Sequence, residues 1–280
     1  SNDPTALNNQ SFWKKLIIFA AGAFMNFLTG LIIIVALYAG AKAFYVPVIT
    51  DFADGCPLQS ESGLQVGDRL VSIDGERVYV YSDVSLLLGR NKTGVFDLKV
   101  KRDGQTVTLK DFPMERAEYT DQQGQTYTGF GLMFGTEEAT VGSRLRYSWN
   151  NAVDFVRIVR LSLQMLVTGE AGLKDVSGPV GIVSTITQVG TASETIAAAV
   201  ENILYFGAML AVNLAVMNML PIPALDGGKI FFLIIDEIAM KLFRKKIPEK
   251  YEMAVNTVGF VALMGFMLVV TFNDVFKLFG

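Results

Sequence analysis

The 25 residues 16–40 (LIIFAAGAFMNFLTGLIIIVALYAG) contain no charged side chain. A helix of that length, at about 1.5 Å per residue, crosses the ~30 Å hydrocarbon core of a bilayer. It is too long for the apolar region of a signal peptide, and no clean cleavage site follows. The segment reads as a transmembrane helix. Composition agrees, with 51% of the 280 residues hydrophobic and 18% charged, which excludes a disordered chain. A net charge of −3 argues against a nucleic-acid binder, which needs a basic face.

Residues 46–113 follow another pattern. Short alternating runs at 46–50, Arg69–Ile73, 95–101 and 106–109 are separated by Asp54-Gly55, Asp74-Gly75 and Asp103-Gly104 turns. One helical stretch, Ser82–Arg90, sets Val84, Leu87 and Leu88 at helical spacing. These features predict a small water-exposed β-rich domain with Leu64, Leu70, Val71 and Ile73 in its core. Residues 116–142 are expected to form an irregular extension or an extra hairpin. Cys56 is the only cysteine, so no intramolecular disulfide or cysteine metal cluster exists, and it reads as a plain thiol.

Residues 147–168 carry Asn150, Asp154, Arg157, Arg160, Gln164 and Thr168 on one helical face, with Val153, Val156, Val159, Leu163 and Leu166 opposite. A polar stripe this complete suits a helix lying in the membrane interface. A glycine-punctuated loop is expected through Ser177-Gly178-Pro179-Val180-Gly181-Ile182. Further apolar segments lie at 201–220, 230–240 and 253–272, and a basic cluster (Lys241, Arg244, Lys245, Lys246, Lys250) precedes the last. Lys14 and Lys15 put the N-terminus inside, so the β domain lies outside and the 241–250 cluster inside. The expected fold is a multi-pass α-helical membrane protein with three transmembrane helices, an interfacial helix and an inserted α+β domain. Its boundaries fall at 1–45, 46–115, 116–197 and 198–280.

The chemistry concentrates in Asn218-Met219-Leu220-Pro221-Ile222-Pro223-Ala224-Leu225-Asp226-Gly227-Gly228. Two prolines two apart break a helix, and backbone opened at membrane depth must be buried in protein or line a cavity. Asp226 then precedes two permissive glycines. On residue chemistry alone, Asp226 is either the cap of the next helix or a ligand or proton-relay group.

This motif resembles the second motif of the site-2 proteases, intramembrane zinc metalloproteases of regulated intramembrane proteolysis, and most of all their bacterial regulator of sigma-E protease branch. AGAFMNF (residues 21–27) is similar to that family's second membrane helix, and LQVGDRLVSIDG (64–75) to its extracytoplasmic PDZ domain. SGPVGI (177–182) and TFNDVFKL (271–278) resemble its later segments. The resemblance implies Asp226 as a zinc ligand, Asn218 beside the substrate, and Pro221, Pro223, Gly227 and Gly228 as supports of the motif. Asn26 is more simply interhelical hydrogen-bond glue. Ala23 stands where the family usually has proline, an effect on helix shape rather than chemistry.

The family's first motif, His-Glu-x-x-His, cannot come from this chain, which has no histidine. One carboxylate supplies one ligand where catalytic zinc takes three. The start at Ser1 and the placement of 16–40 as a second helix lead to the expectation that the histidine helix lies upstream. The 280 residues alone are then inactive, and one Zn²⁺ needs two histidines from that helix. The resemblance further implies transmembrane substrates such as anti-sigma factors or signal-peptide remnants, a bacterial plasma-membrane location, and a peptide groove between 46–50 and Ser82–Arg90. Two other functions fit the residues: a catalytically dead membrane scaffold using its PDZ-like domain, and a transporter using Asp226 as a proton or ion site.

Overall fold

A computed structural model describes residues 7, 10–120, 124–172, 175–244 and 248–279. Lys245 and Lys246 of the basic cluster fall outside the described residues. The chain divides into two units, 1–37 with 155–280 and 38–154.

Among the described residues of the first unit, three helices are long and apolar enough to cross a membrane: α1 (Phe12–Tyr38), α5 (Ile196–Met219) and α7 (Glu249–Phe279). They match the three expected spans in place and number. Their outer faces expose Ile17, Phe24, Leu214, Val258, Val261 and Leu268, as lipid-facing surfaces do. α1 meets α5 at Gly30, where an added Cβ would stand 2.9 Å from Ala208 O and 2.7 Å from Val212. Ile34, Ala208 and Val212 are fully buried, so the small residue lets two backbones approach closely. Gly30→Leu is expected to force the helices apart at a cost of about 1–3 kcal/mol. Thermal unfolding in detergent reads that cost as a lowered Tm.

The helix α3 (Val141–Thr168) starts six residues earlier than the stripe predicts. Thr140 and Ser143 bond each other reciprocally, with Ser143 N–H on Thr140 Oγ1 at 3.1 Å and Thr140 N–H on Ser143 Oγ at 2.8 Å. That closes a capping box. Asp154 and Arg157 are buried, while Arg160, Gln164 and Thr168 are exposed. Only the C-terminal half of the polar stripe therefore faces outward.

The expected loop at SGPVGI is a helix, α4 (Pro179–Thr191). Pro179 at its first position is pre-set for helical φ, and its cap comes from α7. The carboxylate of Asp274, 3% exposed, accepts from the Gly178 and Gly181 N–H groups at 2.8 Å each. Both glycines leave room for it, because a Cβ on either would fall within 3.0 Å of the carboxylate. The helix α6 (Asp226–Phe243) begins at the motif and ends on Arg244, which turns left-handed and returns its N–H to Met240 O.

The second unit is built on an antiparallel sheet in the order β5-β4-β2-β1-β8: Gln105–Pro113, Val95–Arg102, Arg69–Ile73, Ala43–Phe52 and Leu132–Glu138. The short β3 (Glu76–Arg77) pairs with β2, and β6 (Ala117–Thr120) pairs with β7 (Thr126–Gly129) as a separate hairpin. Asp74-Gly75 and Asp103-Gly104 have positive φ at both positions, the geometry of two-residue hairpin turns. Alternation in β4 buries Phe96, Leu98 and Val100, and α2 (Ser82–Arg90) buries Val84, Leu87 and Leu88. Leu64, Leu70 and Ile73 are core as expected, whereas Val71 is half-buried.

The expected peptide groove needs correction. β1 is paired on both sides, to β2 through Val48–Arg69 and to β8 along Ala43–Glu138 to Phe52–Leu132. It therefore lies inside the sheet, between β2 and β8. The strand at the end of the sheet is β8. A cavity of about 230 Å³ lies between Tyr81, Val84 and Leu88 at α2 and Leu132 and Phe134 of β8, with Arg116 at its wall.

Candidate functional site

The motif residues gather where α5 ends and α6 begins. α5 stops at Met219 because Pro221 lacks an N–H and disfavours helical backbone in the residue before it. Leu220 is accordingly extended, with φ −66° and ψ 144°. The chain then folds back through local bonds: Ile222 N–H to Leu220 O at 2.7 Å and Leu225 N–H to Ile222 O at 3.2 Å. Ala224 takes a left-handed φ of +73°, which costs a residue with a Cβ about 1–2 kcal/mol.

Gly227 and Gly228 are buried in the first turn of α6. A Cβ on Gly227 would meet Leu220 O at 2.2 Å, and one on Gly228 would meet Ile222 O at 2.4 Å. The glycines let α6 start directly against the returning loop. Pro221 is exposed, and Pro223 packs on Gly259 of α7, where a Cβ would lie 2.3 Å from the proline Cβ.

Asp226 is the first residue of α6. Leu225 holds the cap position, and no side chain caps the helix. Of the two readings that residue chemistry left open, the cap is not what forms. The carboxylate instead accepts from Lys229 Nζ at 3.1 Å through Oδ1. Its Oδ2 lies beside Gly22 of α1, 3.4 Å from the place of a Cβ. Its side chain keeps 32% of its surface exposed, and its charge at a helix N-terminus is favourable. Lys229 also stands over the Phe19 ring at 5.8 Å. Asn218 is half-buried on the last turn of α5, and Asn26 is half-buried on α1.

One polar residue carries more than its place in the sequence announced. Asn213, five residues before Asn218, lines a cavity of about 520 Å³ with Met217, Leu163, Val176 and Ser177. Its Oδ1 is buried without a hydrogen-bond partner. Such an atom costs about 1–3 kcal/mol until a donor reaches it. The signal available in the sequence was an asparagine inside an uncharged run.

Among the described residues, no three His, Cys, Asp or Glu side chains come together as a metal site. Asp226 suits zinc as one hard oxygen ligand, but catalytic zinc takes three protein ligands. The donor set of these residues is therefore partial.

The M50 peptidase family matches residues 1–266. This chain belongs to the M50 peptidase family. The match bears out the site-2 protease resemblance. An M50 relative in Clostridium perfringens, whose name describes a candidate zinc metalloprotease, is 34% identical over 276 residues, 98% of this chain and 77% of its own length. The regulator of sigma-W protease RasP of Bacillus subtilis is 34% identical over 269 residues, 95% of this chain and 60% of its own length. The zinc metalloprotease RasP of Shouchella clausii is 30% identical over 269 residues, with the same coverage. The chain thus spans 60% of each RasP. With three helices among the described residues long and apolar enough to cross a membrane, it is an integral membrane M50 protein with a β domain.

Proposed function

We propose that this M50 chain is part of an intramembrane zinc metalloprotease that cleaves transmembrane segments in regulated intramembrane proteolysis. The observation that carries the reading is Asp226, which opens α6 with its carboxylate turned toward α1 instead of capping its own helix. Asp226 is one zinc ligand. The two histidines and the glutamate base come from outside these 280 residues. Zinc, where bound, lowers the pKa of a coordinated water and polarises the scissile carbonyl.

The rest is the work of this chain. The 221–225 turn and the two glycines bring Asp226 to the head of α6. Asn218 hydrogen-bonds the scissile backbone, and α1 and α5 keep lipid from the motif. The second unit is a PDZ-like, extracytoplasmic domain. An extended peptide or a trimmed substrate ectodomain adds to the free edge of β8 beside α2, as such domains bind strands. α3 lies at the membrane interface and gates access, and residues 241–250 face the cytoplasm. The substrates are membrane proteins such as anti-sigma factors or signal-peptide remnants, in a bacterial plasma membrane.

The experiment compares the complete enzyme with this chain in lipid vesicles that hold a transmembrane substrate. Cleavage is expected from the complete enzyme alone. Cleavage by the 280 residues themselves would contradict the reading. A complete enzyme that binds peptide but never cuts would favour the scaffold.

A further inference from the structure

We propose that Asn256, on the last span, is a positioning residue for the motif: its amide oxygen holds the 221–225 loop in the turn that sets Asp226 at the head of α6. The proposal rests on the reading of Asp226 as a ligand. Its observations are independent of any metal.

The Ala224 N–H donates to Asn256 Oδ1 at 3.2 Å across 32 residues of sequence. The other bonds of this loop run between residues two to four apart, Leu220 to Met217, Ile222 to Leu220, Leu225 to Ile222 and Lys229 to Leu225. Asn256 is therefore the long-range anchor of the turn. It acts on the residue under most strain, Ala224 at φ +73°, two positions before Asp226. Gly259 lies three residues on, near one helical turn along the same face of α7, and receives Pro223. The last span thus grips the loop at adjacent points, once by a hydrogen bond and once by close packing.

The residue type fits the task. A backbone N–H freed by a proline-broken helix needs an acceptor at membrane depth. An asparagine amide supplies one without burying a charge. Without that oxygen, the Ala224 N–H is orphaned and the left-handed residue loses its one long-range hydrogen bond. Leu225 and Asp226 would turn with it, and the carboxylate would lose its direction toward α1.

The test is amide hydrogen exchange of this chain in lipid nanodiscs, read at Ala224, Leu225 and Gly228. Asn256→Leu keeps the bulk and removes the acceptor. It is expected to speed exchange at these amides about tenfold, the equivalent of one net hydrogen bond, and to leave the interior of α5 unchanged. Asn256→Asp keeps an acceptor oxygen and is expected to retain wild-type protection. The proposal is overturned if Asn256→Leu leaves the loop protected, if exchange rises equally throughout α5 and α7, or if Asn256→Asp is as unprotected as Asn256→Leu. In the complete enzyme, Asn256→Leu is expected to weaken zinc retention about tenfold while Asn256→Asp does not. Should Asp226→Ala keep its zinc, the ligand reading fails, and the exchange pattern still decides the role of Asn256.

Discussion

Asp226→Ala is expected to strip zinc from the complete enzyme and to lower cleavage by at least ~10³-fold, because several kcal/mol of transition-state stabilisation leave with the metal. The fold should barely notice. Asp226 makes no cap bond to its helix, so the variant loses only a favourable charge near the α6 N-terminus and an exposed ion pair with Lys229. The first is worth about 0.3–1 kcal/mol and the second less. Loss of metal with an unchanged unfolding temperature is the signature of a ligand. A large fall in Tm with zinc retained is the signature of a structural carboxylate. Metal analysis, a cleavage assay and a thermal scan on one preparation separate the two.

Arg102→Met is expected to destabilise the β unit by about 3–5 kcal/mol, since it leaves a buried charge uncompensated. Asp68 is fully buried. It accepts from Arg102 Nε at 2.8 Å and Nη2 at 2.7 Å, and from the Gln65 N–H at 2.9 Å. Arg102 Nη2 also reaches Gly63 O at 2.7 Å, so one guanidinium ties β4 to the 63–68 loop. Hydrogen bonding to Asp68 raises the Arg102 pKa above its ordinary value. A raised pKa means that this stability is present at neutral pH and lost only as pH climbs through the folded-state value, beyond the working range. Arg102→Lys keeps the charge but not the planar fork and should fall between the two. Calorimetry that follows the β-unit transition reads all three, and a Tm for Arg102→Met within a degree of the parent would refute the argument.

What could be read from the sequence is what neighbouring residues decide. The spans at α1, α5 and α7 follow from uncharged runs, and the turns from Asp-Gly dipeptides, whose residues accept positive φ at consecutive positions. The β4 core follows from alternation. The Pro-x-Pro break gives the end of α5. What escaped depends on residues far apart. α4 looked like a loop because its cap is Asp274, which lies 93 residues beyond Gly181, although Pro179 at its first position was a legible start signal. The strands beside β1 are a matter of topology that local pattern does not carry, and β8 pairs with β1 from the far end of the domain. The same holds at the motif. Asp226, Gly227 and Gly228 could be singled out by type and order. The grip of Asn256 and Gly259 on the loop, and the place of Gly22 beside the carboxylate, required the fold.

The most direct measurement is the zinc stoichiometry and coordination shell of the complete enzyme beside its Asp226→Ala variant, by metal analysis with X-ray absorption. About one zinc ion per enzyme is expected, in a shell of two imidazole nitrogens and a carboxylate oxygen with water, and is lost in the variant. Full zinc occupancy in Asp226→Ala with an unaltered shell would contradict the ligand reading.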